Sequence, residues 1–203
     1  MLWEFESLFA HQSKMKLNSY NNLLELFFDQ YKKQDKDNIF LTNLGNPKHK
    51  LSWEKTYVLV NHLSNQISKD IKLGDRCILI SENRPEWLIS DLAIMLAGWI
   101  SVPSYTTYTT KDYEYIIKDC EPSVLIVPNN TQFNKIKDIL DNKKIKKNNS
   151  FDRLENMKFQ NYLCIQDIIN TSGGIGKIKL SINDIKPKNF FEFLWPAILI
   201  DFL

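Results

Sequence analysis

The chain has 203 residues, of which 43% are hydrophobic and 25% are charged. This composition supplies a buried core for one domain of ordinary size and excludes wholesale disorder. The formal net charge of +2 shows no basic excess, so nucleic acid is not expected among the partners of this protein.

The first predicted elements are two amphipathic helices with a hairpin between them. Apolar residues recur at helical spacing in residues 20–33 and again in residues 53–69. Between them, two short β-prone runs at 38–42 and 50–53 flank LGNPKH, a turn rich in Gly, Asn and Pro that predicts a β-hairpin. Residues 1–19 precede these elements and are interpreted as an N-terminal extension.

Three short apolar runs follow, and each is followed by a helical pattern. The runs predict strands at residues 76–81, 99–102 and 124–127. The helical patterns cover residues 85–97, 110–119 and 131–140. Pro103 is expected to end the second strand, and Thr109 with Asp112 is expected to cap the second of these helices. The alternation predicts an α/β fold with a mostly parallel sheet flanked by helices.

Two further features bear on partners and location. The most basic stretch, residues 142–147 (NKKIKK), has neither an amphipathic pattern nor interleaved aromatic residues, so a solvated loop is favoured over a phosphate or membrane-surface patch. The three cysteines, Cys77, Cys120 and Cys164, are far apart and match no metal spacing, which favours a reducing cytoplasmic compartment. Cys77 and Cys120 lie in or beside apolar segments and are expected to be small buried side chains.

A set of short motifs occurs in a fixed order along the chain. Each alone is weak, but together they form an ordered series: Ser52-Trp53, Gly74-Asp75-Arg76, Asn83-Arg84-Pro85-Glu86-Trp87, Ala97-Gly98, Pro103-Ser104-Tyr105 and Glu114-Tyr115-Ile116. The series resembles the N-terminal part of the adenylate-forming (AMP-binding) enzymes. The ENRPEW form resembles the long-chain fatty acid–CoA ligases among them.

The resemblance implies a partial N-terminal AMP-binding-type domain over residues 20–188. It also implies ATP-dependent ligation of a fatty acid to coenzyme A through an acyl-adenylate, with Mg²⁺ assisting. The family's Y-T-S-G-T-T-G-x-P-K-G phosphate loop and its C-terminal domain do not occur in the sequence. We therefore assign no catalytic, cofactor-binding or metal-binding residue, and expect the isolated chain to be inactive.

The stretch NTSGGIGK, residues 170–177, imitates a phosphate loop. Glycines, hydroxyls and Lys177 suit phosphate, but no Ser or Thr follows Lys177 and no buried apolar strand precedes the stretch. A surface turn is favoured over a phosphate site. The alternative function, a non-enzymatic nucleotide-binding protein, would depend on Ser172–Lys177.

The last residues, 189–203, are interpreted as an apolar tail outside the family pattern. The run FFEFLWPAILIDFL, residues 190–203, is too short and too interrupted to span a bilayer as a helix. A strand with a terminal helix is the alternative structure for it. With the basic stretch, the tail leaves peripheral membrane contact open, and a membrane-associated interaction protein is the second alternative function.

Overall fold

The structure is a computed structural model that describes residues 20–43, 45–68, 72–140, 145–154, 162–165 and 167. Its helices are α1 Leu23–Lys33, α2 Trp53–Ile67, α3 Pro85–Leu96, α4 Thr110–Cys120 and α5 Asn130–Ile136. Its strands are β1 Ile39–Asn43, β2 Asn46–Ser52, β3 Arg76–Ile80, β4 Ile100–Ser104, β5 Val124–Val127, β6 Lys147–Ser150 and β7 Tyr162–Cys164.

The strands form two sheets. β1 and β2 pair antiparallel, which confirms the predicted hairpin. The other five strands are all parallel and lie in the order β4-β3-β5-β6-β7. The predicted α/β fold, a parallel sheet flanked by helices with a small hairpin region, is confirmed.

Alternate side chains of the central strands enter two separate cores. Cys77 and Leu79 of β3 join the core that contains residues of α1, α2 and α3. Ile78 and Ile80 join the core formed with α4 and α5. Both faces of the sheet are therefore covered, which explains why β3 and β5 are continuously apolar in sequence.

Local sequence determines where several helices begin. The Ser52 side chain accepts a hydrogen bond from the Lys55 amide and caps α2, while Trp53 stacks on Phe40 at 3.9 Å between ring centroids. Thr109 and Asp112 form the predicted capping box at α4.

In the described part of the chain, no helix is both long enough and apolar enough to cross a membrane.

The prediction that Pro103 ends its strand is wrong. β4 continues to Ser104, and Pro103 pairs in register with Leu79. Among the described residues β4 lies at the edge of the sheet and pairs only with β3. Proline lacks a donor, and an edge strand leaves half of its backbone groups without a neighbouring strand, so proline is tolerated there.

Of the predicted solvated loop at residues 142–147, the structure describes residues 145–147, and they agree with the prediction only in part because Lys146 is exposed but Ile145 is not. Ile145 is 7% exposed, and the chain enters β6 at Lys147. The asparagines that follow, Asn148 and Asn149, are 5% and 2% exposed because β5 and β7 pair on either side of them. Cys77 and Cys164 are buried, and Cys120 is half-buried.

Candidate functional site

Parallel strands place their carboxyl ends at one edge of the sheet, and open α/β sheets bind ligands at this edge where the strand order reverses. Here the chain runs from β3 to β4 in one direction and from β4 to β5 back past β3. The reversal therefore lies between β3 and β5. The residues that follow these strands, 81–84 and 128–129, form the candidate site together with the loop after β6.

The ENRPEW motif forms the junction between β3 and α3. Arg84 has an extended backbone and precedes Pro85, which occupies the first turn of α3. Glu86 is only 1% exposed, and its carboxylate accepts a hydrogen bond from Arg84 Nε at 2.9 Å. The motif therefore places a buried carboxylate at the positive end of a helix dipole and supplies its counter-charge two residues earlier.

Arg84 also reaches a segment far away in the sequence. Its guanidinium lies 3.4 Å from Asp152 Oδ1, 3.6 Å from Glu82 Oε1, and 5.2 Å from the ring centroid of Phe151. Burial lowers the pKa of Arg84, but hydrogen bonds and charges from Glu86 and Asp152 outweigh burial and raise the pKa overall. Arg84 is thus a permanently charged group with protein partners on several sides.

The loop after β4, residues 105–109, is a second part of the carboxyl edge. Tyr105 is 47% exposed, and Tyr108 packs edge-to-face on it and on Tyr113. The Tyr113 hydroxyl donates to the Tyr105 carbonyl at 2.6 Å, and Lys135 Nζ donates to the Thr106 carbonyl at 2.9 Å. Burial, with smaller contributions from neighbouring groups, raises the pKa of Tyr113 to about 12. This hydroxyl is therefore a structural donor rather than an acid–base group at neutral pH.

Two buried polar atoms near this loop lack a hydrogen-bond partner. Ser104 Oγ lies at the end of β4, directly before the loop, and Gln132 Oε1 belongs to the first turn of α5. Buried polar atoms without partners are uncommon in folded proteins and are often satisfied by water or a ligand. The polar lining of the carboxyl edge thus extends from β3 to α5.

Two of the other motifs, Gly74-Asp75-Arg76 and Ala97-Gly98, lie at the opposite, amino edge of the sheet. The Gly74 amide donates to the Gly98 carbonyl at 2.9 Å, and the Ile100 amide donates to the Asp75 carbonyl at 3.0 Å. Arg76 donates to the carbonyl of Cys120, which ends α4. Gly74-Asp75-Arg76 and Ala97-Gly98 therefore hold two turns together and cap a helix, which is a role in folding.

The predictions for the NTSGGIGK stretch and for the tail are not tested by the structure. Residues 170–177 (NTSGGIGK) and the tail 189–203 lie outside the described residues, so the surface-turn prediction stays a prediction. No group of three or more His, Cys, Asp or Glu side chains that could hold a metal ion occurs in the described ranges. A cavity of about 240 Å³ lies between the last turns of α4 and Ile145, at the amino edge and away from the candidate site.

Sequence reasoning missed the contact between Arg84 and Asp152, which are 68 residues apart. The motif NRPEW indicated a helix start but gave no indication of a partner for the arginine. The only signal was the absence of a capping side chain at Arg84, a position usually taken by Ser, Thr, Asp or Asn. An arginine there requires another explanation, which the tertiary contact supplies.

Comparison with known proteins identifies the family. The model of the AMP-binding enzyme family matches residues 27–166. The chain is 37% identical over 59 residues to the long-chain-fatty-acid–CoA ligase FadD15 of Mycobacterium tuberculosis, covering 29% of this chain and 10% of that protein. It is 39% identical over 56 residues to the long-chain-fatty-acid–CoA ligase ACSBG2 of Gallus gallus, covering 28% of this chain and 7% of that protein. The chain thus spans about a tenth of the length of these relatives.

Solved structures share the fold. The anthranilate CoA ligase AuaEII, in complex with anthranoyl-AMP, superposes with a TM-score of 0.59 at 21% identity, over 78% of this chain and 28% of that one. ATP-bound MatB from Rhodopseudomonas palustris superposes with a TM-score of 0.58 at 21% identity, over 74% and 28% of the two chains. Because the family model covers more than half of the sequence, the chain belongs to the AMP-binding enzyme family.

Proposed function

We propose that the chain is the N-terminal part of an ATP-dependent long-chain fatty acid–CoA ligase. The observation that carries the proposal is the family match over residues 27–166, together with curated relatives whose names are long-chain-fatty-acid–CoA ligases. A fatty acyl-CoA synthetase of Dictyostelium discoideum, 31% identical over 77 residues, points to the same branch. The ENRPEW motif had indicated this branch from the sequence.

The proposed reaction has two steps. A fatty carboxylate oxygen attacks the α-phosphorus of ATP, which forms the acyl-adenylate as the bond to the leaving pyrophosphate breaks. The thiol of CoA then attacks the acyl carbon and loses its proton, a carbon–sulfur bond forms, and AMP leaves. We propose that the carboxyl edge, with Arg84 and the loop 105–109, forms one wall of the complete site, because ligands of open α/β sheets bind at this edge.

The described residues do not fit a resident Mg²⁺ site, since they contain no group of three or more His, Cys, Asp or Glu side chains that could hold a metal ion. We assign no catalytic residue in this chain. We further propose the division into an extension 1–19, a partial domain 20–188 and a tail 189–203. The free cysteines suit the cytoplasmic location that we propose for the enzyme.

The experiment is ATP–pyrophosphate exchange with a long-chain fatty acid. The purified 203-residue chain is expected to give no exchange. The coding sequence downstream is expected to encode a Y-T-S-G-T-T-G loop in one of its frames, and the longer product is expected to catalyse exchange with the fatty acid but much less with acetate or benzoate. Exchange by the chain alone would contradict the assignment of the chemistry to later residues. A longer product that uses acetate or benzoate in preference would contradict the fatty-acyl branch.

A further inference from the structure

The Arg84 side chain spans the end of a strand. Asp152 follows β6, whereas Arg84 follows β3, and β5 lies between these two strands in the sheet. The contact of its guanidinium with Asp152 Oδ1, at 3.4 Å, therefore joins the segments on either side of the carboxyl end of β5. This position is the crevice at the reversal of strand order, where open α/β sheets bind ligands.

The segment that Arg84 reaches is held from both sides. The amides of Phe151 and Asp152 donate to the carbonyls of Val127 and Pro128, each at 3.0 Å. Phe151 is fully buried, and its ring lies beneath the guanidinium. Backbone hydrogen bonds to the end of β5 therefore hold one side of the segment, while a charge pair and a cation–π contact hold the other.

We propose that Arg84 is a positioning residue that fixes the segment after β6 against the start of α3 and fills the crevice between β3 and β5. Glu86 accepts a hydrogen bond from Arg84 Nε, and this bond orients the guanidinium group for its contact with Asp152. Only 17% of the Arg84 side chain is exposed. Anionic ligands of the carboxyl edge therefore bind to other groups, and Arg84 acts on the site through the backbone that it holds. This inference does not depend on the reaction proposed above.

The test compares two carboxylates that are equally exposed and almost equally distant from Arg84. The side chains of Asp152 and Glu82 are each 50% exposed, at 3.4 and 3.6 Å from the guanidinium. Asp152→Asn removes the charge contact between Arg84 and the segment after β6. Glu82→Gln removes an equal charge from the loop to which Arg84 itself belongs. We expect Asp152→Asn to accelerate hydrogen exchange of the Phe151 amide about two- to fivefold, as suits a half-exposed ion pair. Glu82→Gln should leave that rate unchanged.

Hydrogen exchange of other amides distinguishes global destabilisation of the chain from local release of the segment after β6. The amides of β3 should keep their exchange rates in both variants, because neither carboxylate contacts that strand's core. Equal acceleration of the Phe151 and β3 amides in Asp152→Asn would overturn the proposal, as would equal effects of the two variants or no effect of Asp152→Asn. These variants leave the buried pair of Arg84 and Glu86 intact, so both are expected to fold.

A second measurement tests whether Arg84 is available to ligands. The NMR signal of Arg84 Nε–H is followed while MgATP, and separately pyrophosphate, is added to the unmodified chain. We expect no shift, because Glu86 already accepts from this donor. A saturable shift of the Arg84 signal would show that an anion displaces the protein partners, and it would overturn the proposal.

Discussion

Replacement of Gly98 by alanine should destabilise the chain through two separable effects. Gly98 has a φ of +78°, a left-handed conformation that costs an alanine about 1–2 kcal/mol. A Cβ built on Gly98 would also lie well inside van der Waals contact of Leu73 Cδ2. Leu73 is 83% exposed, so its side chain can move away, at a cost of about 0.5–1.5 kcal/mol for a poor rotamer. The expected total is about 1.5–3.5 kcal/mol.

Gly74 offers the matched control. Its φ is +81°, and a Cβ built on it would meet nothing within 4 Å. Gly74→Ala should therefore show the backbone cost alone, about 1–2 kcal/mol. Leu73→Ala removes the obstacle, so Gly98→Ala in that background should fall to the cost of Gly74→Ala. The two glycines are joined by a hydrogen bond, which places both variants in the same local structure.

The assay is urea denaturation followed by tryptophan fluorescence and circular dichroism, with the free energy of unfolding extrapolated to water. Thermal unfolding should shift by about 2–4 °C for each kcal/mol in a chain of this size. Equal losses for Gly98→Ala and Gly74→Ala would refute the steric part of the reasoning. A neutral Gly98→Ala would refute the left-handed turn itself. An unchanged loss in the Leu73→Ala background would assign the excess to a different neighbour.

Three further predictions concern polar groups that are buried or half-buried. Burial raises the pKa of Asp91, which is 8% exposed, so the chain should lose stability as pH rises from the ordinary carboxyl range through that raised pKa. Asp91→Asn should therefore stabilise the chain at neutral pH, with a smaller gain in urea titrations at acidic pH. A gain independent of pH would contradict this cause. Arg76→Met should cost about 1–3 kcal/mol, because the Cys120 carbonyl loses its charged donor, and Arg76→Lys should recover part of the loss in the same titration. Asn149→Leu should raise the melting temperature, because the Asn149 Nδ2 is buried without a partner and leucine has the same branched arrangement of heavy atoms. A lower melting temperature would indicate a polar neighbour or too little room for the larger side chain.

The parts of the fold that the sequence predicted are those in which a single segment carries its own signal. β3 and β5 are continuously apolar, and α4 carries both halves of a capping box. β6 was missed because Asn148, Asn149 and Ser150 are polar, and their burial results from pairing with strands on both sides. The prediction that Pro103 ends its strand was wrong because the effect of a proline depends on whether its strand is central or at an edge.

For the candidate site, the sequence alone determined the α/β class, the order of strands and helices from α1 to α5, and the motifs by which the family was recognised. It could not divide those motifs between the two edges of the sheet. Only the tertiary structure decided that Gly74-Asp75-Arg76 supports folding at the amino edge, whereas ENRPEW lies at the carboxyl edge. It also decided that Arg84 meets Asp152. The physical reason is that strand order sets which loops meet at an edge, and pairing between distant strands leaves no periodic signal in the segments themselves.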